Sequence, residues 1–219
     1  MTDGRVAWLV KAAILCAAGM LLAGCLGPQP VTHPAALKAE GGVLFVPFSD
    51  RENYYYDSQE GVGIAEAASE VLRISAKRLT PVPYEAVRGL VRSSVMEESV
   101  DWKAVGQAAK ANYVVHGAIN RIAWNDPSEP SIPRCIFTVT YGVYDVAVGA
   151  DIYRATRSGR YPFTLVADNG VTVYEMGPEG LRSRALIYIG RVVSRTFYRA
   201  TISAAENEAL SSKEEQLPR

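Results

Sequence analysis

The hydrophobic pattern of the chain alternates between a helical and an extended period, which predicts an α/β fold. A continuous apolar run at 43–47 is typical of a buried strand, and apolar residues spaced three and four apart over 63–79 predict an amphipathic helix. Alternation over 134–147 predicts a half-buried strand. The remaining segments are extended at 80–82, 112–122 and 151–161, and helical at 84–91, 100–110 and 178–205. The predicted order is β-α-β-α-α-β-β-β-α, a mixed β-sheet with helices packed on it, in the α/β (α+β) class.

Loop signals separate these segments. Three prolines within 126–133 exclude regular structure there, and the Val-Gly-Ala sequence at 148–150 is a candidate turn between two strands. The helix at 100–110 has two candidate starts. Ser94 and Glu97 are spaced as a capping box, and Ser99 is the alternative N-cap.

Composition places the chain among ordinary globular proteins. It has 219 residues, of which 48% are hydrophobic, and 23 basic residues balance 23 acidic ones, so the formal net charge is zero. Neither a basic field nor an acidic tail is present, and no nucleic-acid partner is therefore expected. The length suffices for one domain with its own core.

The first 25 residues have the pattern of an export signal. Arg5 and Lys11 precede an apolar run at 12–22 that is too short to span a bilayer as a helix. The sequence Leu22-Ala23-Gly24-Cys25 follows at once and resembles the lipobox of bacterial lipoproteins. This resemblance implies that the Cys25 thiol carries the lipid and that cleavage precedes it. The alternative is a buried cysteine at the end of a signal anchor.

These observations predict four segments. They are a signal peptide at 1–24, a lipidated tether at 25–42, a single α/β interaction domain at 43–205 and a polar, frayed tail at 206–219. The predicted location is the periplasmic face of the cell envelope. Leu26, rather than Asp, follows Cys25, and by resemblance to enterobacterial sorting this favours the outer membrane.

Candidate chemistry is sparse in the rest of the chain. His33 lies in the predicted tether, and His116 shares a strand face with Val114 and Ala118, as expected of a hydrogen-bonded structural histidine. Cys135 has no partner for a disulfide once Cys16 is removed and Cys25 is lipidated. No Cys/His set has metal-ligand spacing, so neither a metal nor a cofactor is expected. The glycines at 61 and 63 lack the third glycine of a dinucleotide loop and indicate a helix entry.

The most distinctive surface candidate is a run of three tyrosines, Tyr54, Tyr55 and Tyr56, in a polar loop. Tyrosine combines apolar area with a polar tip and is enriched at protein interfaces. The run predicts either a packed surface loop or a contact site for a protein or glycan.

Three segments carry a resemblance to a known family. They are the strand Val-Leu-Phe-Val-Pro-Phe at 43–48, the helix-to-strand sequence at 104–117 and the hairpin at 144–153. In this order they resemble the anticodon-binding-like α/β domain of curli-secretion lipoproteins, of lipoprotein activators of penicillin-binding proteins and of the TolB amino-terminal domain. The similarity covers about 43–200. The hairpin departs from the family pattern, which usually has Thr-Gly at the turn.

The resemblance implies a non-enzymatic domain that binds another envelope protein in assembly or regulation. The alternative is a ligand-carrying or enzymatic lipoprotein that acts on lipid, glycan or peptidoglycan. A secretion-pore subunit is a third hypothesis, which the charged residues of the 134–161 hairpin disfavour, since a membrane strand needs a continuous lipid-facing side.

Overall fold

The computed structural model describes residues 29–50, 58–95, 100–165, 170 and 172–217. The strands are β1 Val31–His33, β2 Gly41–Phe45, β3 Ser49–Asp50, β4 Leu79–Val82, β5 Tyr113–Ala123, β6 Cys135–Asp145, β7 Ala150–Tyr161, β8 Ala200–Ile202 and β9 Leu210–Gln216. The helices are α1 Gln59–Ser75, α2 Arg88–Val95, α3 Trp102–Ala109, α4 Gly177–Ser194 and α5 Ala204–Ala209, with short 3-10 turns at Tyr84–Ala86 and Arg195–Phe197.

Seven of these strands form one mixed sheet, which confirms the predicted fold class. The strand order is β4-β2-β5-β6-β7-β9, and β3 pairs with β5 beyond the end of β2. The strands β4, β2 and β5 run parallel to one another, whereas β5, β6, β7 and β9 form an antiparallel meander. The alternating early segments and the later hairpins of the sequence therefore produce the two halves of the sheet.

Two long helices cover one face of the sheet, here called the first face. In α1, Ser58 Oγ caps the helix by accepting a hydrogen bond from the Gly61 N–H at 3.0 Å, and the buried Ile64, Ala68 and Leu72 form its apolar stripe. Helix α4 packs beside α1 through Gly190. The largest buried side chains of the first-face core are aromatic: Phe45, Phe48, Phe137, Tyr141, Tyr153 and Tyr188.

A smaller core covers part of the opposite face, here called the second face. Leu44 of β2, Val46 just after it and Val114 of β5 pack there against residues of α2 and α3, including Val91 and Val105. The N-cap of α3 is Asp101, whose Oδ1 accepts from the Ala104 N–H at 3.0 Å. Neither a Ser94 capping box nor Ser99 starts this helix.

The predicted tether is wrong in its second half. Val31–His33 pairs antiparallel with Ala200–Ile202, and Leu37 is buried and donates its backbone N–H to Thr196 O at 2.9 Å. The tether prediction depended on prolines and glycines, but Gly41 and Gly42 begin β2. The folded unit therefore starts about ten residues before the predicted boundary at 43.

The predictions for the C-terminal segment are also wrong. Helix α4 ends at Ser194 instead of near residue 205, and the buried Phe197 ring then packs at 6.1 Å from the Phe45 ring. The predicted frayed tail contains α5 and the edge strand β9, which pairs with β7 over seven residues. Pairing to an exposed edge explains how a polar sequence forms a strand.

Candidate functional site

The residues predicted from sequence to be functional lie outside the described part of the chain. These are the lipobox residues Leu22, Ala23, Gly24 and Cys25, and the tyrosines Tyr54, Tyr55 and Tyr56. The described chain begins at Gln29, four residues after Cys25. No helix in the described ranges is long and apolar enough to cross a membrane.

The antiparallel half of the sheet leaves a polar surface on the second face. Cross-strand register places its residues in rows, because directly paired residues point to the same side of a sheet. This surface, here called the open face, consists of Ala118, Arg121, Thr138, Thr140, Arg154, Thr156, Ser158, Ser211, Lys213 and Glu215. The helices in main contact with β6, β7 and β9 are α4 and α5, and both lie on the first face.

Hydroxyl groups pair across the centre of the open face. Thr140 Oγ1 is 3.1 Å from Thr156 Oγ1, and Thr138 Oγ1 is 3.0 Å from Ser158 Oγ. All four side chains are partly exposed. A flat surface of hydroxyls with basic side chains beside it offers hydrogen bonds to a partner without a large apolar area.

A histidine–carboxylate pair lies at the end of this face nearest the β6–β7 turn. His116 Nε2 is 2.8 Å from Asp151 Oδ1, and each side chain is 19% exposed. Trp102 of α3 stacks on the imidazole, with ring centroids 4.5 Å apart and planes 17° apart. The predicted hydrogen bonding of His116 is therefore confirmed, and the tryptophan closes the pair off from the parallel half of the sheet.

The pair depends on its immediate surroundings. Burial opposes ionisation of Asp151, but the hydrogen bond from His116 and the Arg154 guanidinium, 3.4 Å away, hold the pKa of Asp151 below its usual value. Gly142 makes room for the pair, since a Cβ there would lie 2.9 Å from His116 Nε2 and 3.2 Å from Asp151 Oδ2.

The free cysteine of the described residues is not part of this arrangement. This residue, Cys135, is fully buried, and burial raises the pKa of its thiol to about 12. It lies in a row with Tyr161 on the first face, opposite His116. A cysteine–histidine pair is therefore impossible in this sheet, and the described residues contain no cluster suited to a metal ion.

A polar cavity of about 360 Å³ lies on the first face beside β1 and β9. Arg157 Nη1 is 2.5 Å from Glu214 Oε1, and Arg195 Nη1 is 2.7 Å from Glu206 Oε1. Each arginine is thus neutralised by a glutamate of β9 or α5. The Arg157–Glu214 pair links β9 to β7, and the Arg195–Glu206 pair links α5 to the turn that follows α4.

Comparisons with known proteins show similarity at the level of solved structures. No family model matches the chain, and no curated protein matches its sequence. The PelC dodecamer from Paraburkholderia phytofirmans is 17% identical, with a TM-score of 0.45 and coverage of 78% of this chain and 100% of that chain. Lipoprotein GNA1162 from Neisseria meningitidis is 12% identical, with a TM-score of 0.40 and coverage of 70% and 98%.

TolB from Acinetobacter baumannii is similar over 74% of this chain and 31% of its own, at 17% identity and a TM-score of 0.32. The similar structures thus include a lipoprotein and TolB. The anticodon-binding-like classification stays a prediction. At these identities and TM-scores the similarities carry no conclusion about function.

The ends of the tyrosine segment lie next to the open face. Asp50 and Ser58, which precede and follow residues 51–57, line an open cavity of about 770 Å³. Arg121 of the open face lines the same cavity, and so does Trp124, over whose ring the Arg182 guanidinium lies at 5.1 Å. Strand β3 produces this proximity, because it pairs Ser49 and Asp50 with Ala118 and Ile119.

Sequence reasoning missed the partners of His116. Asp151 is 35 residues away along the chain, and an irregularity in the β6–β7 pairing between Val143 and Tyr144 makes Ile152 an extra residue. A regular hairpin register would have placed a different residue beside His116. The available signal was the glycine at 142, which interrupts an otherwise bulky strand.

Proposed function

We propose that the protein is a lipid-anchored component of the bacterial cell envelope that binds another envelope protein through the open face. The role is non-enzymatic and belongs to assembly or regulation. The anchor is the lipid on Cys25, at the periplasmic side of the outer membrane. The observation that carries the proposal is the open face, a broad polar sheet surface on the side opposite the two helices in main contact with β6, β7 and β9.

The chemistry of the second face supports binding rather than catalysis. An imidazole paired with a carboxylate is the arrangement of many general bases, but such a base needs a nucleophile or water positioned beside it. Here Trp102 stacks on the imidazole, and Cys135 lies on the other side of the sheet. The pair instead fixes the turn end of β6–β7, where the open face begins.

The tyrosine segment extends the proposed contact surface. Its two ends line the cavity that Arg121 shares with the open face. Buried tyrosines are frequent anchors at interfaces, and a polar sheet surface beside them would form the hydrogen-bonded rim. A partner that covers both would bind Tyr54, Tyr55 and Tyr56 and the rows around Thr140.

Site-specific photo-crosslinking tests the open face. A photoreactive residue at Thr156 is expected to capture a discrete envelope protein in intact cells. The same residue at Ser183, an exposed hydroxyl position on α4 over the first face, is the matched control and is expected to capture none. Equal capture at both positions, or none at Thr156, would exclude the open face as the contact site.

The tyrosine segment is tested in the same cells. Replacing Tyr54, Tyr55 and Tyr56 together with alanine is expected to reduce the Thr156 crosslink at least tenfold, because interface tyrosines contribute strongly to affinity. An unchanged crosslink would remove the segment from the contact surface while leaving the open face in place.

A further inference from the structure

A basic groove lies on the side of the domain where the N-terminal segment enters the fold. The groove has a volume of about 420 Å³ and is lined by residues that follow β1, by the end of α1 and by the segment before β8. Its charged lining residues are Lys38, Glu40, Lys77, Arg78 and Arg199, so four cations face one carboxylate.

Three of these cations are uncompensated. Arg78 NH1 lies 2.6 Å from Glu40 Oε1 and is thereby neutralised. Lys38, Lys77 and Arg199 are exposed and have no ion pair within the part of the chain that the structure describes. Three neighbouring like charges repel one another, and a bound polyanionic surface would relieve that repulsion.

The pairing of β1 with β8 fixes this groove close to the predicted lipid anchor. Cys25 is six residues before Val31, which limits the distance between their Cα atoms to about 20 Å. His33, at the other end of β1, pairs with Ala200, the residue after Arg199. Two strand steps separate Val31 from His33, so the groove begins within about 30 Å of the anchored cysteine.

We infer that the basic groove binds the anionic phospholipid headgroups of the leaflet that holds the protein's own lipid anchor. This inference depends on the lipid anchor of the proposed function but not on its protein partner. A surface held so close to a bilayer meets headgroups at a high effective concentration, which strengthens contacts that already form without the anchor. Each basic side chain near an anionic surface strengthens binding by about fivefold.

Headgroup binding would also orient the domain. The exposed Ile74, 70% accessible in the last turn of α1, precedes Lys77 by three residues and adds an apolar contact at the same end of the molecule. The open face is formed by the antiparallel strands on the second face of the sheet, opposite the face on which α1 packs. The groove would therefore hold the domain against the membrane while the open face stays accessible to a partner.

Vesicle co-sedimentation of the mature chain tests the inference. The chain carries Cys25→Ser so that the lipid does not obscure the contribution of the groove. We expect binding to vesicles of phosphatidylcholine and phosphatidylglycerol, weakening with salt, and at least tenfold weaker binding to phosphatidylcholine alone. The triple variant Lys38→Glu, Lys77→Glu and Arg199→Glu is expected to bind anionic vesicles at least 100-fold more weakly.

A triple variant with the same charge change elsewhere is the control. Arg92→Glu, Lys103→Glu and Arg184→Glu lie on α2, α3 and α4, and this variant is expected to retain most of the binding. If the triple glutamate variant of the groove has a lower melting temperature than the parent, a variant with glutamine at the same three positions is used instead. Equal binding by the groove and control variants, or equal binding to both vesicle types, would overturn the inference. Because the Thr156 crosslink is measured separately, such a failure is distinguishable from failure of the proposed partner binding.

Discussion

The carboxylate of Asp151 lies between two donors at the turn end of β6 and β7. Because its pKa is lowered in the folded protein, the ionised form stabilises the fold. That stability is present above the usual carboxyl pKa of about 4 and is lost as the pH falls through the lowered folded value. Protonation of Asp151 would therefore loosen the turn end of the open face in acid.

Asp151→Asn removes this charge while keeping the side-chain shape. We expect the free energy of unfolding at pH 7 to fall by about 1 kcal/mol, the scale of a partly buried charge-assisted hydrogen bond. The difference in the free energy of unfolding between the variant and the parent should be constant above about pH 5 and shrink as the pH falls below 4. Urea denaturation across this pH range measures it.

Glu215→Gln is the matched control for this substitution. Glu215 is an exposed carboxylate in the same register row as His116 and Arg154. We expect its neutralisation to change stability by less than about 0.5 kcal/mol at any of these pH values. A pH-independent loss in Asp151→Asn would contradict an electrostatic role for that carboxylate.

The contact between α1 and α4 is close because Gly190 of α4 has no side chain. A Cβ at Gly190 would lie 2.7 Å from Ala67 Cβ and 2.7 Å from the Ala68 nitrogen. Gly190→Ala must therefore push the two helices apart, and we expect a loss of about 1–3 kcal/mol in stability. Thermal unfolding of the purified domain measures this loss.

Gly180→Ala provides the comparison within the same helix. Its new Cβ would meet Met176 side-chain atoms at 3.6 Å and 3.9 Å, which are ordinary contacts. We expect this variant to be unchanged or more stable by up to about 1 kcal/mol, because alanine favours helix over glycine. Similar losses in both variants would show that the close approach at Gly190 is unimportant.

The edge strand β9 is expected to contribute more to the stability of the fold than its polar sequence implies. Deleting residues 210–219 removes the partner of β7 and leaves the Arg157 guanidinium, 11% exposed, without Glu214. We expect a loss of about 2–3 kcal/mol and a melting temperature lower by about 5–10 °C. Deleting only residues 218–219 should change neither quantity, and equal melting of both truncations would contradict the prediction.

Long periodic elements were predictable from sequence, and short or polar ones were not. The alternation in β6 and the apolar stripe of α1 follow directly from burial on one side, so their positions were found within a few residues. β1 and β8 have three residues each, too few for a period to show. β9 lacks apolar alternation because it lies at the edge.

Tertiary contacts explain the remaining errors. The apolar pattern of α4 continues past Ser194, but the buried Thr196 hydroxyl bonds Tyr141 OH at 2.7 Å and Phe197 packs on Phe45. These contacts end the helix without a glycine or proline. The candidate site was missed for a related reason, since the open face becomes visible only once the strand register is known.

For the whole molecule, the predicted lipid anchor determines where in the cell envelope the protein is located. Cys25→Ser should move the protein from the membrane fraction to the soluble periplasmic fraction when membranes are washed at high salt, because the lipid cannot be attached and salt releases the headgroup contacts proposed for the basic groove. The fold should be unchanged, since the described domain begins after this residue. Fractionation of cell envelopes with immunoblotting measures the distribution, and the melting temperature checks the fold.

Cys16→Ser tests whether the effect is specific to the lipobox. Cys16 lies within the apolar run of the predicted signal, nine residues before Cys25. We expect its replacement to leave the protein in the membrane fraction. Retention of the Cys25→Ser variant in that fraction would instead reveal a second anchor or a wrong lipobox assignment.

If Cys25 carries the proposed lipid, the short pairing of β1 with β8 determines how a force on that lipid reaches the domain. Tension on a lipid at Cys25 would first reach the three-residue ladder at Val31–His33. It would then pass through the Leu37 N–H to Thr196 and, by the Thr196 hydroxyl, to Tyr141 in the central strand β6. A pull on such an anchor would therefore be transmitted to the strand that carries Thr138 and Thr140, and the hydroxyl rows of the open face would be mechanically connected to the bilayer.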